Sequence, residues 1–112
     1  MRRVSIDLNA DVGEGFATEG ELIPLITSAN IACGAHAGDE ATMKATVALA
    51  IRHGVSIGAH PGFEDRANFG RRELVVTPRE AASLVTGQTR RLLLVAESLG
   101  ATVAHVKLHG AL

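Results

Sequence analysis

Two apolar runs in this chain end in the same way. "SANIAC" (Ser28 to Cys33) runs into Gly34-Ala35-His36-Ala37-Gly38, and "VSI" (Val55 to Ile57) runs into Gly58-Ala59-His60-Pro61-Gly62. Short, largely apolar runs of this length are expected of strands buried on both faces. A glycine, a histidine and a second glycine at the end of such a run mark a tight turn carrying a polar side chain. A third variant, "HVKLHGAL" with Lys107 and His109, closes the chain. A unit that repeats with chemistry at its tip restricts the fold to strand-led repeats with loops gathered at one end.

Four strands are expected: Val4 to Leu8, Ser28 to Cys33, Val55 to Ala59 and Val103 to Leu108. Helical patterns separate them. Asp39 can cap a helix from Glu40 to about His53, with Met43, Val47, Ala50 and Ile51 on one face and Gly54 as its terminator. Thr77-Pro78-Arg79-Glu80 reads as a capping box with proline at the first helical position. That helix runs to about Leu99, carries Ala81, Leu84, Val85, Gln88, Leu92, Val95, Ala96 and Leu99 along a mainly apolar stripe and stops at Gly100. Between the first two strands, Glu21 to Ile26 forms a short helical turn limited by Pro24. Strands alternating with helices give an α/β fold of parallel βα repeats, either a small open sheet or part of a (β/α) barrel.

The chain's 112 residues, 46% of them hydrophobic, suffice for a single domain over 1–112. The formal net charge is −1 and the basic residues are scattered, so a nucleic-acid partner is not expected. No apolar run approaches membrane-spanning length and the N-terminus lacks a signal-peptide core, so the reading is cytoplasmic, with no membrane partner. The lone Cys33 fits a reducing compartment and, inside its apolar run, reads as a buried packing residue.

In parallel βα folds, ligands bind beyond the carboxyl ends of the strands. The polar residues collect at those ends: Asn9, Asp11 and Glu14 after the first strand, Asn30, Gly34, His36 and Asp39 at the second, His60 at the third, Lys107 and His109 at the fourth. His53 and His105 read instead as packing or surface residues. The glycines, Gly58 among them, permit tight turns or let backbone N–H groups approach an anion. The long loop "PGFEDRANFGRRELVV" reads as a lid or subunit contact in which Arg71 and Arg72 could grip a carboxylate or phosphate. No G-x-x-x-x-G-K-[ST] phosphate loop occurs.

The segments "IDLNADVGEGF", "LITSANIACGAHAGD", "GVSIGAHPGFEDRANFGRR" and "HVKLHGAL" together resemble the LamB/YcsF, or lactam-utilisation, family, that of the 5-oxoprolinase A component. The resemblance runs over essentially the whole chain. It implies a TIM-like (β/α) barrel related to polysaccharide deacetylases, of which this chain is the N-terminal half. It further implies ATP-dependent ring-opening of 5-oxoproline, or another small lactam, to glutamate, with ATP as co-substrate and subunits B and C as partners.

An unstrained lactam is a poor electrophile, and phosphorylation of its carbonyl oxygen would create a leaving group before water attacks. The expected catalytic residues are Asp11 or Glu14 as general base, His36 and His60 for positioning or proton transfer, and Lys107 with His109 as electrostatic stabilisers. Asn9, Asn30, Gly34, Asp39, Arg71 and Arg72 are the expected substrate-binding residues. No metal is assigned, although histidines and carboxylates at strand ends also suit a metal-dependent amide hydrolase or deacetylase. The third alternative is a non-catalytic half-barrel that binds partners. A half-barrel has open sheet edges, so self-association of the isolated chain is expected.

Overall fold

A computed structural model describes residues 3–112. Four strands, β1 (Asn9–Val12), β2 (Ser28–Ala32), β3 (Ser56–His60) and β4 (Val103–Val106), form one sheet in chain order, every neighbouring pair parallel. The helices are α1 (Glu19–Leu22), α2 (Glu40–Arg52) and α3 (Pro78–Ser98), with single 3-10 turns at Ile23–Leu25 and Arg66–Asn68.

Side chains alternate across a strand, and here the alternation divides the sheet chemically. Val12, Ala29, Ile31, Ile57 and Ala59 pack with Met43, Val47 and Ala50 of α2 and Leu92, Val95 and Ala96 of α3 in one buried cluster. Across the other face runs a row in register: Asp11 opposite Asn30, Asn30 opposite Gly58, and Gly58 opposite His105. The sheet is therefore held from its apolar side and leaves its polar side for chemistry.

Both long helices begin as their capping residues dictate. Asp39 accepts the Thr42 N–H at 2.7 Å and Thr77 accepts that of Glu80 at 3.1 Å, each meeting an amide that has no partner within the helix. In α3 the residues fully buried are Gln88, Leu92, Val95 and Ala96, so only the C-terminal part of its stripe reaches the core. Gln88 is no part of an apolar contact. Its side-chain amide bonds both the N–H and the carbonyl of Gly62, at 3.0 and 2.7 Å, and pins the chain just beyond β3.

The first strand differs from expectation. Val4 and Ile6, expected within it, are 93% and 84% exposed, and pairing starts only at Asn9. The reason lies in the partner: the Ile23–Leu25 turn and Ile26 delay β2, whose first residue Ser28 stands opposite Asn9. A parallel ladder needs two extended chains, whatever the hydrophobicity of one. Asp7 is held at this boundary by the Thr27 and Ser28 hydroxyls, at 2.5 and 2.7 Å. The fourth strand ends earlier than expected as a regular strand, although Lys107 N–H and His109 N–H continue to bond the Ala59 and Pro61 carbonyls, each at 2.9 Å.

Candidate functional site

The polar strand ends meet in one side-chain cluster. The turn after β1 brings in Glu14, the turn after β2 His36, the end of β3 His60, and the stretch beyond β4 Lys107 and His109. His36 Nε2 lies 2.7 Å from the Glu14 carboxylate, and His60 Nε2 lies 3.0 Å from His109 Nδ1. The His36 and His109 rings stack with centroids 3.6 Å apart. His36, His60 and His109 are buried. Asp11 sits at the rim, 3.4 Å from His60 Nε2 and 2.9 Å from the Lys107 ammonium.

Three residues that the sequence reading did not place in the site shape this cluster. The Glu19 carboxylate accepts the N–H groups of Gly13 and Glu14, at 2.8 and 3.0 Å, and so fixes the turn carrying Glu14. The guanidinium of Arg66 donates to the Gly34 carbonyl at 2.9 Å and to that of Gly38, closing the loop that carries His36. Phe69 packs against both His36 and His109, with ring centroids 5.2 and 5.1 Å away. Its φ of 54° is unusual for a bulky residue, and its carbonyl accepts the Nε2–H of His109 at 2.6 Å.

The electrostatics follow from burial and neighbours. Burial pushes the Asp11 carboxyl up, but the Lys107 hydrogen bond, the nearby His60 and the Asn30 amide together outweigh it and hold the group below the ordinary carboxylate value. Burial pushes the His60 imidazole below its ordinary value, against the Lys107 carbonyl and the Asp11 and Glu14 carboxylates that favour its charged form. Burial also raises the Cys33 thiol to about 11, and its Sγ lies 3.2 Å from the Ile31 carbonyl.

A second polar group continues down the same face of the sheet. Asn30, fully buried, donates to Asn9 at 2.9 Å and Asp11 at 3.1 Å and accepts from His105 at 2.6 Å. Asn9, Asn30 and His105, with Asp7 and Lys107, line a small cleft of about 200 Å³. One sequence expectation is corrected here: Gly58 is a mid-strand residue, not a turn, and makes room for the ring of His105, which is half-buried and packs over it on the polar face.

Other expected binding residues lie around the margins of the histidine cluster. Gly34 shapes the turn before His36 and borders a separate cleft with Glu64 and Arg66. Asp39 caps α2 and, with Glu14, His36 and Arg66, lines a cleft of about 370 Å³ beside the cluster. Arg71 lies over the Phe69 ring, 5.0 Å from its centroid, and Arg72 is exposed. The largest of these clefts, about 630 Å³ along the first half of α3, includes none of the histidines. It is a groove between helix and loop, and the convergent polar groups lie elsewhere.

Residues 6–112 match the model of the LamB/YcsF family. The chain is 52% identical to the 5-oxoprolinase A component of Geobacillus thermodenitrificans (strain NG80-2), over 96% of this chain and 44% of that protein. It is 50% identical to the 5-oxoprolinase A component of Bordetella pertussis (strain Tohama I), over 96% of this chain and 45% of that protein. The crystal structure of the lactam utilization protein from Thermus thermophilus superposes with a TM-score of 0.94 at 42% identity, covering 96% of this chain and 46% of that one. The chain thus spans less than half the length of these relatives, and its three βα units and fourth strand form part of a TIM-like barrel. With a family model covering residues 6–112 and relatives half identical along nearly its whole length, the chain belongs to the LamB/YcsF family.

Proposed function

We propose that this chain supplies the first part of the A component of a 5-oxoprolinase, working with partner subunits B and C to open 5-oxoproline, or a similar small lactam, to the amino acid in the cytoplasm. The observation that carries this reading is the convergence of Asp11, Glu14, His36, His60, Lys107 and His109 at one pole of the sheet. Proteins named as the A component of 5-oxoprolinase, half identical to this chain, support it.

In this reading, ATP phosphorylates the lactam carbonyl oxygen and ADP leaves; water adds to the activated carbon, the C–N bond breaks as the ring nitrogen takes a proton, and a second water hydrolyses the resulting acyl phosphate to glutamate and phosphate. Asp11, held ionised beside Lys107, and Glu14 are the carboxylates available to take a proton from water. The Lys107 ammonium, half exposed at the rim, stabilises negative charge developing on substrate oxygen. Asn9, exposed on the polar face, offers its amide to the substrate ring, and the buried Asn30 holds Asn9 and Asp11 in place. ATP is handled mainly by the partner subunits, with Arg71 and Arg72 free on the surface for an anionic contact.

The test is turnover of 5-oxoproline by a chain of full family length reconstituted with subunits B and C, with and without ATP. Glutamate released only with ATP and both partners supports the reading. Hydrolysis without ATP would assign the site to an amide hydrolase instead, and no hydrolysis in any combination would leave the chain a binding subunit.

A further inference from the structure

Two imidazole lone pairs face each other inside the cluster. His60 donates its Nδ1–H to the Lys107 carbonyl at 2.7 Å, and His109 donates its Nε2–H to the Phe69 carbonyl at 2.6 Å. A carbonyl oxygen only accepts, so these nitrogens carry the ring protons. The remaining nitrogens, His60 Nε2 and His109 Nδ1, stand 3.0 Å apart. The Glu14 carboxylate oxygen lies 3.9 Å from the first and 3.6 Å from the second. Three electron-rich atoms at these separations, on side chains no more than 6% exposed, repel one another unless something positive joins them. A proton between the two rings would bridge only the His60–His109 contact and would join the Glu14 oxygen to neither ring.

We infer that His60 Nε2, His109 Nδ1 and the Glu14 carboxylate form a binding site for a divalent first-row transition ion of the Zn2+ class, with His36 as a positioning residue. Metal–ligand bonds of roughly 2.0–2.1 Å place neighbouring ligand atoms of a tetrahedron about 3.3–3.4 Å apart. The three separations here scatter around that value. Two imidazoles and a carboxylate suit zinc and its neighbours, whereas calcium and magnesium prefer oxygen ligands throughout.

The surroundings also fit. Both ligand histidines have the opposite ring nitrogen tied to a backbone carbonyl, the arrangement that fixes tautomer and orientation in metal sites. One of those carbonyls belongs to Phe69, whose left-handed backbone aims it at His109. His36 reaches the Glu14 carboxylate at 2.7 Å and stacks on His109, orienting one ligand and packing the other. Its donor atom lies within 4.8 Å of the other three. Gly62 permits the arrangement, since a Cβ there would come within 2.7 Å of His36 Nδ1.

This site stands on donor geometry alone and not on the lactam reading, so either can fail without the other. The experiment is a titration of the chelator-treated, untagged protein with Co2+, followed by its visible ligand-field absorption, then competition with Zn2+. One equivalent of Co2+ should bind with a tetrahedral spectrum and be displaced by Zn2+. Glu14→Gln, His60→Ala and His109→Ala should each weaken binding on the order of 100-fold or more, and His36→Ala about 10- to 100-fold. His36→Gln, which retains a donor toward Glu14, should recover much of the His36→Ala loss. His53→Ala, outside the cluster, should change nothing. Circular dichroism separates lost binding from lost folding, and the nearly isosteric Glu14→Gln carries the test if a histidine variant unfolds. Absence of saturable binding at micromolar Co2+ and Zn2+ by the folded protein overturns the inference, as does binding that survives both His60→Ala and His109→Ala.

Discussion

The His105 imidazole lies across Gly58, where a Cβ would stand 2.0 Å from its Nε2. From there it reaches over β3 to bond Asn30 on β2. An irregularity in register at Ile57/Gly58 sets this up: Val103 pairs with Ile57, but His105, two residues on, pairs with Gly58. The extra residue turns His105 onto the polar face. Gly58→Ala should therefore force the ring away and cost about 1–3 kcal/mol, as overpacking does. The double variant Gly58→Ala/His105→Ala should be more stable than Gly58→Ala alone, because the clash is gone. Urea unfolding midpoints of the two proteins decide; equal stability of Gly58→Ala and the parent would show that the strand yields freely.

The cluster's hydrogen bonds predict opposite tautomers for two adjacent histidines. His60 should carry its proton on Nδ1 and His109 on Nε2, because each faces a carbonyl through that nitrogen. Long-range 1H–15N correlation of the imidazoles reads this directly. A His109 ring protonated on both nitrogens would instead place a proton in the gap toward His60.

Lys107→Met retains the aliphatic stem and removes the charge facing Asp11. With its side chain 49% exposed, the ion pair contributes less than about 1 kcal/mol to stability. Folding should survive while lactam turnover by the full-length protein with its partners falls on the order of 100- to 1000-fold, the scale for losing one charge-stabilising donor. Near-normal turnover would remove Lys107 from the mechanism.

What the sequence could tell about this site depended on how local the signal was. His36 and His60 were legible because glycine-flanked histidines at the ends of two buried runs repeat one structural unit. Asp39 and Thr77 were legible because capping is a property of four consecutive residues. Gln88, Arg66 and Glu19 were not, since their work is done on partners brought near only by the fold, as Gln88 is to Gly62. The face that His105 presents was hidden for a related reason: it depends on an irregularity in pairing with β3 that β4 alone does not reveal. The first strand was placed too early because apolar content was read without asking where its partner begins.

Cys33 should be a slow nucleophile. Its thiol is held at about 11 by burial, against an ordinary value of 9.0, so near pH 8 the thiolate fraction falls roughly 100-fold. Reaction with a disulfide reagent should be correspondingly slow in the folded protein and fast in urea. Equal rates in the two conditions would show that the β2 end opens readily.

The sheet's edges give the last prediction. β1 and β4 each pair on one side only, so among the described residues both outer strands present unpaired backbone donors and acceptors. At the end of β4 and beyond it, the edge is also apolar: Val106 and Leu108 are 46% and 49% exposed. An edge of this kind is a template for another strand. On the opposite edge, Val4, Ile6 and Leu8 add exposed apolar surface next to β1. The 112-residue chain by itself should therefore self-associate at micromolar concentration, through β4 of one copy meeting an edge strand of another. Replacing Val106 and Leu108 together with lysine should shift the chain toward monomer, because like charges on the two approaching edges repel and lysine on an edge discourages pairing. Sedimentation velocity of the parent and the double variant is the measurement. A parent that sediments as a monomer and unfolds cooperatively would mean that the two edges are adequately protected as they stand.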